Sequence, residues 1–67
     1  MSIARVTEIS ATSPDSFDDA VKTGIERASK TLRNVTSAWI KDSNVEVRDG
    51  TVSEYRVNMQ VTFIIDD

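Results

Sequence analysis

From Tyr55 to Phe63 apolar and polar residues alternate without a break, and Ile64 and Ile65 follow. Tyr55, Val57, Met59, Val61, Phe63 and Ile65 fall on one side; Glu54, Arg56, Asn58, Gln60 and Thr62 fall on the other. A period of two is that of a β-strand with one buried and one polar face. The pattern predicts a strand from Thr51 to Ile65. No other segment has so long an apolar face, so the sheet is organised around this one. At about 3.3 Å per residue it extends roughly 50 Å. A compact chain of this length has a radius of gyration near ~11 Å and a diameter near ~28 Å. The strand must therefore bend sharply or reach onto other subunits.

The segments before it are shorter. Met1 to Ser10, anchored by Ile3, Val6 and Ile9, predicts a first strand whose broken alternation leaves its faces unassigned. Ala11 to Pro14 reads as a turn. Ser13 followed by Pro14 is a helix start, with Ser13 as N-cap and Pro14 at the first helical position. Asp15, Asp18 and Asp19 crowd the first turns, where the helix dipole favours negative charge; that accounts for them better than a metal site does. The helix is predicted from Pro14 to Arg33. Phe17, Ala20, Val21, Gly24, Ile25, Ala28 and Leu32 form one stripe at helical spacing. Asp18 with Lys22, and Glu26 with Lys30, are four apart in the favourable order. Lys30 and Arg33 sit in the last turn, where cations suit the dipole. Gly24 costs ~1 kcal/mol in a helix interior, so its presence predicts a close approach to a sheet.

Val35 to Val47 reads as a second strand. Ala38 and Ile40 share one face; Ser37, Trp39 and Lys41 share the other. Asp42-Ser43-Asn44 interrupts the pattern and marks a bulge or bend. Asp49-Gly50 is a hairpin signal joining this strand to the last. The fold class is α+β: a β-α-β-β unit whose three-stranded antiparallel/mixed curved sheet, in the order 1-3-2, wraps one helix. Residues 1–67 read as a single domain.

Composition changes this picture in one respect. A chain of 67 residues buries only about ~60% of its unfolded surface. Such chains lean on disulfides, a structural metal or oligomerisation. With no Cys and no His, disulfides are excluded and zinc loses its usual ligands. Oligomerisation is left, in agreement with the overlong strand. Met1 to Arg5 has no apolar core of a signal peptide, and no run approaches ~18 apolar residues, so a soluble, cytoplasmic protein is expected, without a membrane partner. A net charge of −3 without a basic cluster argues against nucleic acid.

Candidate chemistry is sparse. The two commonest base and nucleophile types are missing, the two glycines form no phosphate loop, and no calcium loop of the EF-hand kind fits Asp49-x-Thr51 or the Asp66-Asp67 tail. No enzyme is expected. The residue that needs an account is Trp39, the only Trp. Its face-mates are Ser37 and Lys41, and the same side of the sheet carries Arg56, Asn58 and Gln60. Trp and Arg are enriched at subunit interfaces, so Trp39 reads as an interface residue. The second reading, after the interface one, is a stacking platform for a flat ligand, with Arg and amide groups as hydrogen-bonding walls.

The chain resembles the dodecins, small β-α-β-β proteins that form hollow dodecameric shells and bind flavins. The resemblance covers nearly its whole length. It is carried by V-T-E-I (Val6 to Ile9), T-S-P (Thr12 to Pro14), S-F-D-D-A (Ser16 to Ala20), R-A-S-K-T-L-R-N-V (Arg27 to Val35), E-Y-R-V (Glu54 to Val57) and V-T-F (Val61 to Phe63). It implies a homododecamer built from four trimers, with the polar face of the sheet turned inward. It also implies a bound flavin (riboflavin, FMN or FAD) in a storage or sequestration role, with coenzyme A or calcium as further ligands. The family's flavin-stacking aromatic falls on Ser37 and its flavin-contacting glutamine on Arg56, while Trp39 stands where members often have Glu. Sequences with Trp at this later position look like a separate branch, and members without the stacking Trp include calcium binders. The implied flavin-binding set is Ser37, Trp39, Lys41, Arg56 and Asn58, with Trp39 stacking from a displaced position. The alternative is a structural or calcium-binding shell without flavin.

Overall fold

In the computed structural model, which describes residues 3–65, the chain forms β1 (Ile3–Ser13), α1 (Phe17–Thr31), β2 (Val35–Arg48) and β3 (Thr51–Ile65). Met1 and Ser2 of the first predicted strand, and the Asp66-Asp67 tail, lie outside the described residues. The alternating segment is the central strand: β3 pairs antiparallel with β1 on one side and with β2 on the other, giving the order 1-3-2. α1 lies on one face. Beneath it Val57, Met59 and Val61 of β3 are buried, with Ala20 of the helix against Val57 and Met59. Ile9 and Ala11 of β1 sit opposite Met59 and Val57 and complete this small core with Val21 and Ile25. The apolar phase of β3 therefore looks inward and its polar phase outward, as the period of two requires.

The first strand is longer than its pattern suggests. It runs to Ser13, and the turn expected at Ala11 to Pro14 is displaced. Ala11 and Ser13 keep the alternation, opposite Val57 and Tyr55, but are too small to register as a hydrophobic face. They are small because the helix lies over them. Gly24 is the closest point: a Cβ there would come within 2.8 Å of Ala11 Cβ and 3.0 Å of Met59 Cε. The close approach expected from a mid-helix glycine is thus observed.

The helix is shorter than predicted, Phe17 to Thr31 instead of Pro14 to Arg33, and its cap is Ser16, not Ser13. Ser16 Oγ accepts from the Asp19 amide at 3.0 Å, and the Ala20 amide donates to Ser16 O at 3.1 Å. Ser13 has another task. Buried at the end of β1, its hydroxyl accepts from the Asp15 amide at 2.9 Å and donates to Asp19 Oδ2 at 2.6 Å. Pro14 favours an extended residue before it, which suits Ser13 as the end of a strand. Serine thus serves twice, once to cap the helix and once to tie its first turn to the sheet. Loss of the Ser16 hydroxyl leaves a first-turn amide without its acceptor. Ser16→Ala should therefore lower unfolding free energy by about 1 kcal/mol, measured by denaturant titration.

At the other end Leu32 is extended, although its amide still donates to Ala28 O at 2.8 Å. Asn34 turns the chain with φ +60°. Its carbonyl accepts from the Ile64 amide at 3.1 Å, and its Nδ2 donates to Ile64 O at 3.4 Å, so the helix exit is pinned to β3. The hairpin between β2 and β3 is the one expected. Asp49 and Gly50 both have positive φ, +53° and +75°, as a two-residue type I′ turn requires.

The hairpin also makes the chain long. Its principal extents are 51 × 19 × 14 Å and its Cα radius of gyration is 13.7 Å, against ~11 Å for a compact chain of this size. The helix covers only part of the sheet. Its start is fixed by Phe17 packing edge-on against Tyr55, with ring centroids 5.0 Å apart. Past that contact Val45, Val47 and Val52 stand exposed.

Candidate functional site

Residues directly opposed on antiparallel strands share a face, so the register defines the outer surface of the sheet. Four rows cross it from β1 to β2: Val6–Thr62–Ser37, Glu8–Gln60–Trp39, Ser10–Asn58–Asp42 and Thr12–Arg56–Asn44. Ser37, Trp39, Arg56 and Asn58 stand in these rows, away from the helix.

Lys41 reaches the same face by a different route. The register shifts between Ile40 and Asp42, making Lys41 an extra residue in β2. A bulge re-aims side chains locally. Lys41 Nζ crosses β3 to Glu8 Oε1, 3.3 Å away. The bulge expected near Asp42 to Asn44 is thus one step earlier, and it has a consequence for the site. After it, Asp42 rather than Ser43 faces outward, opposite Asn58. Two further shifts, between Val35 and Ser37 and between Glu46 and Val47, twist the ends of the strand pair.

Trp39 is 74% exposed. Its indole stands beside Gln60, an amide with both a donor and an acceptor. The polar groups around it are held by one another. Asn58 Nδ2 donates to Asp42 Oδ1 at 2.6 Å, which fixes the amide so that its carbonyl oxygen remains the acceptor. Arg56 Nη1 lies 3.1 Å from Glu46 Oε1. The two ion pairs are about half exposed, so each contributes little to stability, about 0–1 kcal/mol. Their effect is positional. They hold two long cations flat along the sheet, on either side of the Asn58 row.

The residues singled out from the sequence are therefore brought to one surface. Sequence reasoning missed Glu8, Asp42 and Glu46, which hold Lys41, Asn58 and Arg56. Glu8 was hidden by the broken alternation of β1, and Asp42 and Glu46 by the bulge that resets the faces of β2. The surviving signal was charge: an acid lies within reach of each cation only if strands 1 and 2 both flank strand 3. Among the described residues, no three acidic side chains converge as metal ligands. Nor, among these residues, is any helix long and apolar enough to cross a membrane.

The fold has close counterparts among solved structures. The chain is similar to the dodecin of Streptomyces davaonensis, at 36% identity and a TM-score of 0.95 over 98% of this chain and 97% of that one. It is similar to the dodecin of Streptomyces coelicolor, at 33% identity and a TM-score of 0.95 over 98% and 94%. A calcium dodecin of Mycobacterium tuberculosis, a calcium-chelating antigen with a novel calcium-binding site, aligns at 25% identity and a TM-score of 0.84 over 96% and 91%. A search of curated proteins gives no match. Residues 3–66 match the profile of the Dodecin family, and the chain belongs to that family.

Proposed function

We propose that the chain, a single dodecin-like domain over residues 1–67, is a cytoplasmic, non-enzymatic flavin-binding protein. It stores or sequesters the flavin inside a homododecameric shell built from trimers. The observation that carries this reading is Trp39. An indole 74% exposed, with Val6 the other large apolar side chain in the four outer rows, is a large apolar area left in water. A flat aromatic ligand stacked on it removes that area, and aromatic pairing adds ~0.5–1.5 kcal/mol beyond burial. Gln60, Asn58 and Arg56 offer the donors and acceptors that the polar edge of an isoalloxazine ring needs, and Ser37 and Lys41 flank the ring.

Trp39→Ala should weaken flavin binding at least tenfold, since ~1.4 kcal/mol is a factor of ten, and leave the particle assembled. Arg56 has five donors and no acceptor, so it cannot fill both roles of an amide. Arg56→Gln should tighten binding. A fluorescence titration of wild type and both variants, with particle mass followed by light scattering, tests the reading. No binding in any of the three would sink it. Loss of assembly in Trp39→Ala would make Trp39 an interface residue instead.

A second reading, a structural or calcium-binding shell without flavin, is favoured by one observation. Arg56 and Asn58 are already engaged with Glu46 and Asp42, and Ser37 offers no ring where relatives of the flavin-binding kind carry one. The likeness to a calcium dodecin supports the same reading. Colour separates the two: a yellow purified protein with quenched flavin fluorescence belongs to the first.

A further inference from the structure

We infer that the site around Trp39 selects flavins without a phosphate, riboflavin in preference to FMN. This rests on the flavin reading above and deepens it. The argument is the charge on the outer face. Around Trp39, Arg56 and the rows between them, the cations are Lys41 and Arg56, and each already lies against an acid, Glu8 and Glu46. Asp42 has no cation: its short hydrogen bond is to the neutral amide of Asn58. Three carboxylates, Glu8, Asp42 and Glu46, thus face two cations. Arg48 lies at the hairpin turn, nine residues along β2 from Trp39, or about 30 Å in an extended strand.

A phosphate on the ribityl chain brings a charge of about −1.5 to −2. To gain a cation it must take Lys41 from Glu8 or Arg56 from Glu46, leaving a bare carboxylate close by. It also meets the charge of Asp42. An uncharged ribityl chain meets none of these terms, since its hydroxyls bond equally well to Gln60, to Asn58 Oδ1 or to the carboxylates. The indole and the amides hold both ligands alike, so the difference between them is electrostatic.

The test is a pair of fluorescence titrations, riboflavin and FMN, on the assembled wild-type protein at two salt concentrations. At about 0.01 M salt, where the Debye length is ~30 Å, riboflavin should bind about fivefold or more tightly than FMN. Near 1 M, where it is ~3 Å, the two should converge. Glu8→Gln releases Lys41 and Asp42→Asn removes the unpaired charge; each should narrow the low-salt gap by strengthening FMN alone. FMN binding as tightly as riboflavin at low salt overturns the selectivity and leaves the flavin reading standing. A gap that neither salt nor the two variants alter assigns it to shape and overturns the electrostatic argument. Failure of both ligands to bind at either salt overturns the flavin reading and the selectivity with it.

Discussion

Gly24→Val should cost about 3 kcal/mol or more and remove much of the stability of the fold. Helix propensity alone gives the opposite sign for the smaller change. Gly24→Ala gains ~1 kcal/mol in the helix. The packing decides otherwise. A Cβ on residue 24 would meet Ala11 Cβ at 2.8 Å. That atom is fixed to the backbone of β1 and cannot swing aside. Met59 Cε, 3.0 Å away, is the end of a flexible side chain and can. Overpacking a filled core costs ~1–3 kcal/mol. The alanine variant should therefore be neutral to moderately destabilised, and the branched valine much worse. Against a total of roughly 0.05–0.15 kcal/mol per residue, valine removes much of the stability. Chemical denaturation of the two single variants, of Ala11→Gly and of the double Gly24→Ala/Ala11→Gly measures the coupling. The pair should couple by about 1 kcal/mol or more in the rescuing direction. A stabilised Gly24→Ala with no coupling to Ala11 would show that the helix can ride away from the sheet.

This contact also shows what the sequence made legible. The central strand could be read because its apolar side chains are large and strictly alternate. Gly24 could be read because a mid-helix glycine is costly and needs a reason. The end of β1 could not, because Ala11 and Ser13 face inward as small residues, and smallness looks the same in a turn as under a helix. The helix start was misread for a related reason. Ser13 and Ser16 both suit an N-cap by type, and only the tertiary contact with Asp19 assigns Ser13 to the sheet and Ser16 to the cap. On the outer face, Trp39 and the polar phase of β3 followed from the period of two. Glu8, Asp42 and Glu46 depended on strand order and on the bulge at Lys41, which no local pattern encodes. The partners of the candidate groups were thus less visible than the groups themselves, and the charge balance that bears on ligand choice lies in those partners.

Val47→Asp should abolish the assembled particle. The hairpin beyond Phe17 and Tyr55 is two strands with nothing over its helix-side face. Val45 lies opposite Tyr55, Val47 opposite Val52, and the three valines are 39%, 61% and 42% exposed. An isolated two-stranded hairpin is marginal in water, yet this one stays paired, through the register shift between Glu46 and Val47, out to a type I′ turn at Asp49 and Gly50. Its apolar strip fits burial against another copy of the chain, consistent with an extent of 51 Å in a molecule whose own core is small. A carboxylate at Val47 would be buried there without a partner, at a cost of several kcal/mol for each copy. Every copy in a closed shell carries the same lesion, so the costs accumulate. Light scattering should show the wild type near dodecamer mass and Val47→Asp as small or aggregated species. In the wild type, dissociation and unfolding should coincide on heating, with a midpoint that rises with protein concentration, because the monomer buries too little to stand alone. A Val47→Asp particle of normal mass and unchanged midpoint would put this strip in solvent. A wild-type monomer folded at micromolar concentration would separate assembly from folding and overturn the link between the strand's length and the shell.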